Sequence, residues 1–185
     1  LDHSVKKMKL LLQKLSSADS IEGPVVLYLD KLLAQAVGLK STSEPKPGLE
    51  IVDTELRVRA TWARLERVLG HLIQNAIEAI SSKEGKVVVR LRKQGHCALV
   101  EVCDTGEGMS EEFIRDRLFK PFETTKSAGM GVGAFESREY IHELGGQLEV
   151  VSSPASGTTF KVVLPLFTDV DSSGDKVGQQ QEENV

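Results

Sequence analysis

Two glycine-punctuated turns constrain this chain more than any other feature: Asp104-Thr-Gly-Glu-Gly108 and, about twenty residues on, Gly129-Met-Gly-Val-Gly133. The first follows the apolar run Ala98-Leu-Val-Glu-Val102, which predicts a strand ending in an acidic tight turn. The second leads straight into a helix-like segment, Val132 to Leu144. A glycine-rich turn feeding a helix start offers backbone N–H groups and a positive dipole end to an anion, which suits phosphates. An aspartate at the first turn can accept a hydrogen bond from an exocyclic amine such as that of adenine. Together they predict a nucleotide site, with the base at Asp104 and the phosphates at Gly129–Gly133. Taken alone, Asp-x-Gly-x-Gly is also an ordinary strand-to-helix loop. The residues before Gly129 are Glu123-Thr-Thr-Lys-Ser-Ala rather than an apolar strand, which argues against a dinucleotide fingerprint, and no P-loop pattern occurs.

With 185 residues the chain has room for one sizeable core, or one domain with appendages. A net charge of −4 gives no basic excess to argue for nucleic acid, and no run of eighteen apolar residues argues for a membrane span. The two cysteines, Cys97 and Cys103, lie in or beside an apolar strand and read as buried, reduced thiols of a cytosolic domain rather than a disulfide framework. The sequence begins at Leu1 inside a helical pattern, with neither Met nor signal sequence, so a piece of a longer protein is expected.

Leu1, Val5, Met8, Leu12 and Leu15 form an a/d stripe over residues 1–17, which predicts either the end of a longer helix that packs against partners or a single surface helix on its own domain. Residues 18–24 read as a linker. A helix follows at Leu29–Val37, closed by Gly38. Ser41 to Gly48 is a loop, and Leu49–Val52 with Leu56–Thr61 reads as a hairpin. The clearest helix is Trp62 to Ile80, whose apolar face is Leu65, Val68, Leu69, Leu72, Ala76 and Ile80. A second, polar line on it carries Arg67, His71, Asn75 and Glu78. Asn is a poor helix-interior residue, so Asn75 calls for a reason: a hydrogen bond to a neighbour, or an oxygen ligand for Mg²⁺. Lys86–Lys93 and Cys97–Cys103 read as antiparallel strands, and Gln147–Ser152 with Thr158–Leu164 as a further hairpin. From residue 168 onward no periodicity survives, and a disordered tail is expected.

The order of these pieces resembles the ATP-binding domain of the histidine kinase, gyrase, Hsp90 and MutL superfamily, the Bergerat fold. His71-Leu-Ile-Gln-Asn75-Ala-Ile-Glu-Ala79 is similar to its N box and Asp104–Gly108 to its G1 box. Leu118-Phe-Lys-Pro-Phe-Glu-Thr-Thr-Lys126 is similar to the F box, Gly129–Gly133 to the G2 box, and Gly157-Thr-Thr-Phe160 to the closing strand motif. The F box looks like that of sensor histidine kinases, and Gly-Met-Gly-Val-Gly-Ala-Phe-Glu-Ser-Arg-Glu-Tyr is similar to kinases of the exosortase (PEP-CTERM) systems.

The resemblance implies an α/β two-layer sandwich over residues 25–167, a mixed sheet of about five strands with three helices on one face. It implies that Asn75 holds Mg²⁺ against the triphosphate of ATP and that Asp104 reads the adenine amine, with Thr159 helping through water. Gly106, Gly108 and Met109 would line the base. Thr125, Lys126 and the backbone at Gly129, Met130, Gly131, Val132 and Gly133 would meet the phosphates, under a mobile lid formed by Ser110–Ala128. The implied activity is transfer of the γ-phosphoryl to a histidine of the protein's own dimerisation domain, in a homodimer, for relay to a response regulator. The domain would be cytoplasmic, with any membrane anchor lying outside this sequence. Rival readings are a nucleotide-binding scaffold without activity, and an ATPase or serine/threonine kinase of the same superfamily.

Three departures accompany the resemblance. His71 stands where the superfamily's ATPases carry a water-activating Glu, and an imidazole there could assist proton transfer. No acceptor histidine is evident: His3 lies beyond the acceptor position, His96 is in a hairpin turn and His142 is at a helix end. Finally, Glu136, Ser137 and Glu139 put polar groups where related kinases often have apolar ones.

Overall fold

The computed structural model describes residue 8, residues 22–121 and residues 133–169. The expected helix of residues 1–17, apart from Met8, lies outside these, as do most of the linker and the tail from residue 170. Among the described residues the first elements are β1 (Val25–Tyr28), α1 (Leu29–Gly38), β2 (Gly48–Ile51), β3 (Arg57–Ala60), α2 (Trp62–Glu78), β4 (Val87–Gln94) and β5 (Cys97–Asp104). A short helical turn, α3 (Glu111–Phe113), runs on into a π-helical turn, Ile114–Leu118. Then come α4 (Gly133–Glu143), β6 (Gln147–Ser152) and β7 (Thr158–Pro165).

Five strands form a mixed sheet in the order β2-β4-β5-β7-β6, parallel only between β2 and β4. Helices α1, α2 and α4 pack on one face of it. Strand alternation divides the residues cleanly: Val87, Val89 and Leu91 of β4, Ala98, Val100 and Val102 of β5, and Phe160, Val162 and Leu164 of β7 all face the helices and are buried. Against them α2 sets Leu65, Leu69, Leu72 and Ile73, each fully buried, on the stripe expected from its periodicity.

Three expectations are corrected. Residues 49–61 do not form a hairpin: β2 pairs in parallel with β4, Gly48 opposite Val88, while β3 pairs antiparallel with β1, Val25 opposite Ala60. The chain leaves one sheet for the other through Val52–Leu56. There Asp53 accepts a hydrogen bond from the backbone N–H of Lys93 at 2.7 Å, and Glu55 turns at φ 59°. The partner strand β1 had no sequence signal, because its alternation is short and Val25, Val26 and Tyr28 remain exposed. The cysteines are free but only partly buried, since both point to the sheet face away from the helices. Lastly, the tail does not start at residue 168: Thr168 and Asp169 are placed, and Asp169 lies 3.4 Å from Arg57.

Helices α2 and α4 run antiparallel along a polar seam. The Tyr140 hydroxyl accepts a hydrogen bond from the backbone N–H of Thr61 at 2.9 Å, both groups being buried. The Arg64 guanidinium lies 4.0 Å from the Tyr140 ring centroid and 2.7 Å from Glu143. Further along, burial raises the Glu136 carboxyl above its ordinary value, an effect that Arg67 opposes. Glu136, Tyr140 and Glu143 of α4 thus meet groups of α2 and its N-cap, and Ser137 is buried. Tyr140→Phe strands the Thr61 N–H and is expected to cost about 1–3 kcal/mol, read as a lower urea midpoint at unchanged m. A midpoint equal to that of the parent would show that water replaces the hydroxyl.

Candidate functional site

Strand β5 ends in Asp104, a residue only 8% exposed. Its Oδ1 accepts hydrogen bonds from the backbone N–H of Gly106 at 2.8 Å and of Thr158 at 3.3 Å. Burial raises its pKa above the usual carboxylate value, and the two N–H bonds pull the other way. Both bonds fall on Oδ1, which leaves Oδ2 as the oxygen with which a ligand amine can be read.

The turn after Asp104 is clasped from two sides. The Glu107 N–H donates to the carbonyl of Ala79, at the C-terminal end of α2, at 3.3 Å, and the Glu107 carbonyl accepts from the Ala155 N–H at 2.7 Å. Gly106 approaches the helix so closely that a Cβ there would sit 2.4 Å from the Ala79 oxygen. Gly108 adopts φ 69°, the left-handed region, with its Cα against the backbone of Ser153. The acidic turn therefore needs its glycines for packing and for backbone conformation.

One expected residue changes place. Thr159 pairs with Cys103 and Val151, on the sheet face away from the helices, and so lies opposite to the Asp104 side chain. Thr158, not Thr159, stands beside Asp104, and Ser152 beside Thr158, making a row of three across β5, β7 and β6. Ser152 was missed by sequence reasoning. Its hydroxyl accepts from the Met109 N–H at 2.9 Å, lies 2.8 Å from the Thr158 hydroxyl and donates to the Gly157 carbonyl at 2.9 Å. The signal was available in the parity of β7: Phe160, Val162 and Leu164 are the apolar positions, and Thr158 shares their face whereas Thr159 does not.

On α2, His71 and Asn75 lie one turn apart, with Asn75 Nδ2 3.0 Å from His71 Nε2. Both are half-buried, and Gly133, at the start of α4, meets the imidazole of His71. The F box is present in part: Phe119 packs on the core edge, and the Arg138 guanidinium of α4 sits 4.6 Å from its ring centroid. The beginning of the expected lid is helical, with the Ser110 hydroxyl accepting from the Phe113 N–H at 3.1 Å. Thr125, Lys126, Gly129, Met130, Gly131 and Val132 lie outside the described residues. Among the described residues, no group of three or more His, Cys, Asp or Glu side chains is placed to hold a metal ion. The donor available on α2 is the Asn75 amide oxygen, a hard ligand that suits Mg²⁺ shared with nucleotide phosphates better than a metal needing a full protein cage.

Residues 61–168 match the family described as histidine kinase-, DNA gyrase B-, and HSP90-like ATPase. The chain is similar to the C4-dicarboxylate transport sensor protein DctB of Rhizobium meliloti (strain 1021), with 35% identity over 145 residues, 78% of this chain and 22% of DctB. Another relative, the sensor protein FixL of Bradyrhizobium diazoefficiens, is 34% identical over 78% of this chain and 27% of its own length. The chain thus spans about a quarter of the length of these curated relatives. Among solved structures it is similar to the nucleotide-free catalytic domain of histidine kinase ThkA, at a TM-score of 0.69 and 28% identity, covering 78% of this chain and 96% of that one. The acidic turn at Asp104, the Asn75 helix and the sheet that joins them are the parts of an ATP-binding domain, and the chain belongs to the histidine kinase-, DNA gyrase B-, and HSP90-like ATPase family.

Proposed function

We propose that residues 25–167 form the ATP-binding catalytic domain of a sensor histidine kinase, which transfers the γ-phosphoryl of Mg·ATP to a histidine of the protein's own dimerisation domain. The observation that carries this reading is the buried Asp104 carboxylate, held through Oδ1 and set in a glycine turn at the end of a core strand. A carboxylate in that position accepts from the adenine amine, and Thr158, rather than Thr159, assists through a bound water. Gly106, Gly108 and Met109 form the wall beside the base. Asn75 supplies an amide oxygen to Mg²⁺, which when bound neutralises charge on the phosphates. Lys126, Thr125 and the backbone of Gly129–Gly133 serve the phosphates as donors. Phosphoryl transfer of this type is positioning and charge neutralisation, so it requires no covalent residue from the domain.

We infer that the acceptor lies outside this sequence: His71 lies on α2, His96 between β4 and β5 and His142 near the end of α4, and His3 lies beyond the position that the family resemblance gives the acceptor. Relay to a response regulator, a homodimeric whole protein and a cytoplasmic position for this domain complete the reading. No helix among the described residues is long and apolar enough to cross a membrane. A role in exosortase (PEP-CTERM) systems rests on the wording of residues 129–140 alone.

The test is titration calorimetry of this chain with a non-hydrolysable ATP analogue, with and without Mg²⁺. Metal-assisted binding near 1 μM, or about −8 kcal/mol, is expected. Acid-labile label from γ-labelled ATP should then appear on a histidine of the longer protein that contains the chain. Absence of heat and of thermal stabilisation by the analogue would remove the nucleotide site and with it the kinase.

A further inference from the structure

The small sheet of β1 and β3 turns one face to the core and the other away from it. Leu27 of β1 and Val58 and Ala60 of β3 are buried, whereas Val26 and Tyr28 are exposed. The register sets Val26 opposite Arg59 and Tyr28 opposite Arg57, so strand alternation puts both arginines on the outer face. A third cation joins them from α1, where Lys31 Nζ lies 5.0 Å from the Tyr28 ring centroid. The Arg57 guanidinium is held in the same manner, 5.6 Å from the ring centroid of Phe167. A ring face attracts a cation without neutralising it, so the charge remains for a carboxylate to meet.

One carboxylate is already there. After β7 the chain runs beside β3: the Phe167 N–H donates to the Arg57 carbonyl at 2.8 Å, and two residues on, Asp169 Oδ1 lies 3.4 Å from Arg57 Nη2. Among the described residues, neither Arg59 nor Lys31 forms an ion pair. Residues 170–185 carry Asp171, Asp175, Glu182 and Glu183 against the single base Lys176. They show no apolar periodicity, so charge is what they offer a surface. The spacing also matches: Asp171 follows Asp169 by two residues, as Arg59 follows Arg57, and two residues of extended chain span about 7 Å.

We propose that the outer face of β1 and β3 is a docking surface for the acidic segment 170–185 of the same chain. Asp171 meets Arg59, and the later carboxylates serve Lys31. Because the segment is tethered at Asp169, its carboxylates stand at this face at an effective concentration on the order of millimolar, ahead of acidic segments of other molecules. The docked segment covers the strand by which the chain enters the domain. None of this involves the nucleotide site, which lies at the other end of β7, where Thr158 stands beside Asp104.

The test uses the full chain. A carbodiimide joins a lysine amine directly to a carboxylate that touches it, and peptide mass analysis of the monomer reports which lysine is joined to Asp171, Asp175, Glu182 or Glu183. Lys31 is expected to dominate over Lys86, whose backbone N–H binds Thr105 at the opposite end of the sheet. The Lys31 link should be lost in about 1 M NaCl, where the screening length falls to about 3 Å. This salt dependence is read on the parent, so it does not rely on any variant folding. Arg59→Gln removes a cation without touching Lys31 and should lower the Lys31 link severalfold. The complement is a full chain with Asp171→Asn, Asp175→Asn, Glu182→Gln and Glu183→Gln. Its Tyr28, Lys31, Arg57 and Arg59 amides should differ in ¹⁵N–¹H spectra from those of the parent at low salt and coincide with them at high salt. Carboxylates of 170–185 joined to Lys86 as often as to Lys31 would overturn the docking, as would amide positions on β1 and β3 identical in parent and neutralised variant at low salt. Links found only between two molecules, with a yield that rises with protein concentration, would overturn it as well by giving the face to a second copy.

Discussion

Replacing Asp104 by Asn is expected to weaken nucleotide binding by about 2–3 kcal/mol, on the order of 100-fold, while leaving the unliganded fold at least as stable at neutral pH. The two effects separate because the carboxylate makes two kinds of contact. Toward the protein, Oδ1 accepts from the Gly106 and Thr158 N–H groups, and an asparagine oxygen can do the same. Toward the ligand, the variant would set an amide N–H₂ against an adenine amine, donor against donor. The stability side follows from proton linkage. Burial, the largest influence, raises the folded-state pKa above the unfolded one of about 3.9. Ionised Asp104 therefore costs stability, and that cost sets in as pH rises from the unfolded pKa and is complete above the raised folded pKa. Asparagine carries no such cost, so the variant should gain on the parent through this window and hold a constant margin above it. Urea midpoints across the acidic range, beside calorimetric titration at pH 7, would check both halves. A variant that loses stability and affinity together would assign Asp104 to the fold rather than to the ligand.

The opposite pattern is expected of Gly108→Ala, which should damage fold and site at once. The residue sits at φ 69°, where an L side chain costs about 1–2 kcal/mol. Its new Cβ would also lie 2.0 Å from the Ser153 carbonyl oxygen and 2.9 Å from that carbonyl carbon. Those atoms are backbone of the loop between β6 and β7, which is tied to the turn by the bond from the Ala155 N–H to the Glu107 carbonyl. Displacing that loop adds an overpacking cost of about 1–3 kcal/mol, for a total of roughly 2–5 kcal/mol. The same loop carries Gly157, whose carbonyl binds Ser152, so the row beside Asp104 shifts as well. The expected result is a lower urea midpoint at unchanged m, together with weaker analogue binding. A change below about 0.5 kcal/mol, the range of an ordinary surface substitution, would show that the loop swings clear without resistance.

These two positions illustrate how much of the site could be read before any coordinates were known. Asp104, Gly106 and Gly108 stand next to one another in the chain, and a strand followed by an acidic glycine turn is a local pattern. Helix α2 was equally legible, because Leu65, Leu69 and Leu72 repeat at its period and the polar line through His71 and Asn75 repeats beside them. The order of motifs carried the family resemblance, and the match over residues 61–168 bears it out. The Thr158 and Ser152 positions were harder. They depend on which face of β7 and β6 meets Asp104, and a shift of one residue exchanges the two faces.

Sequence alone determined the helices, the long hairpins and the acidic turn, since each is a matter of period or of residues within a few positions of one another. Tertiary structure alone decided the rest. It sent β2 to β4 and β3 to β1, because strand partners are chosen by burial on the sheet and not by nearness in the chain. Tertiary structure also brought Gly133 onto His71, a contact across 62 positions that no local pattern encodes. Both are consequences of packing one layer of helices on one face of a sheet: the layer fixes which side chains face each other, and the sequence supplies only the candidates.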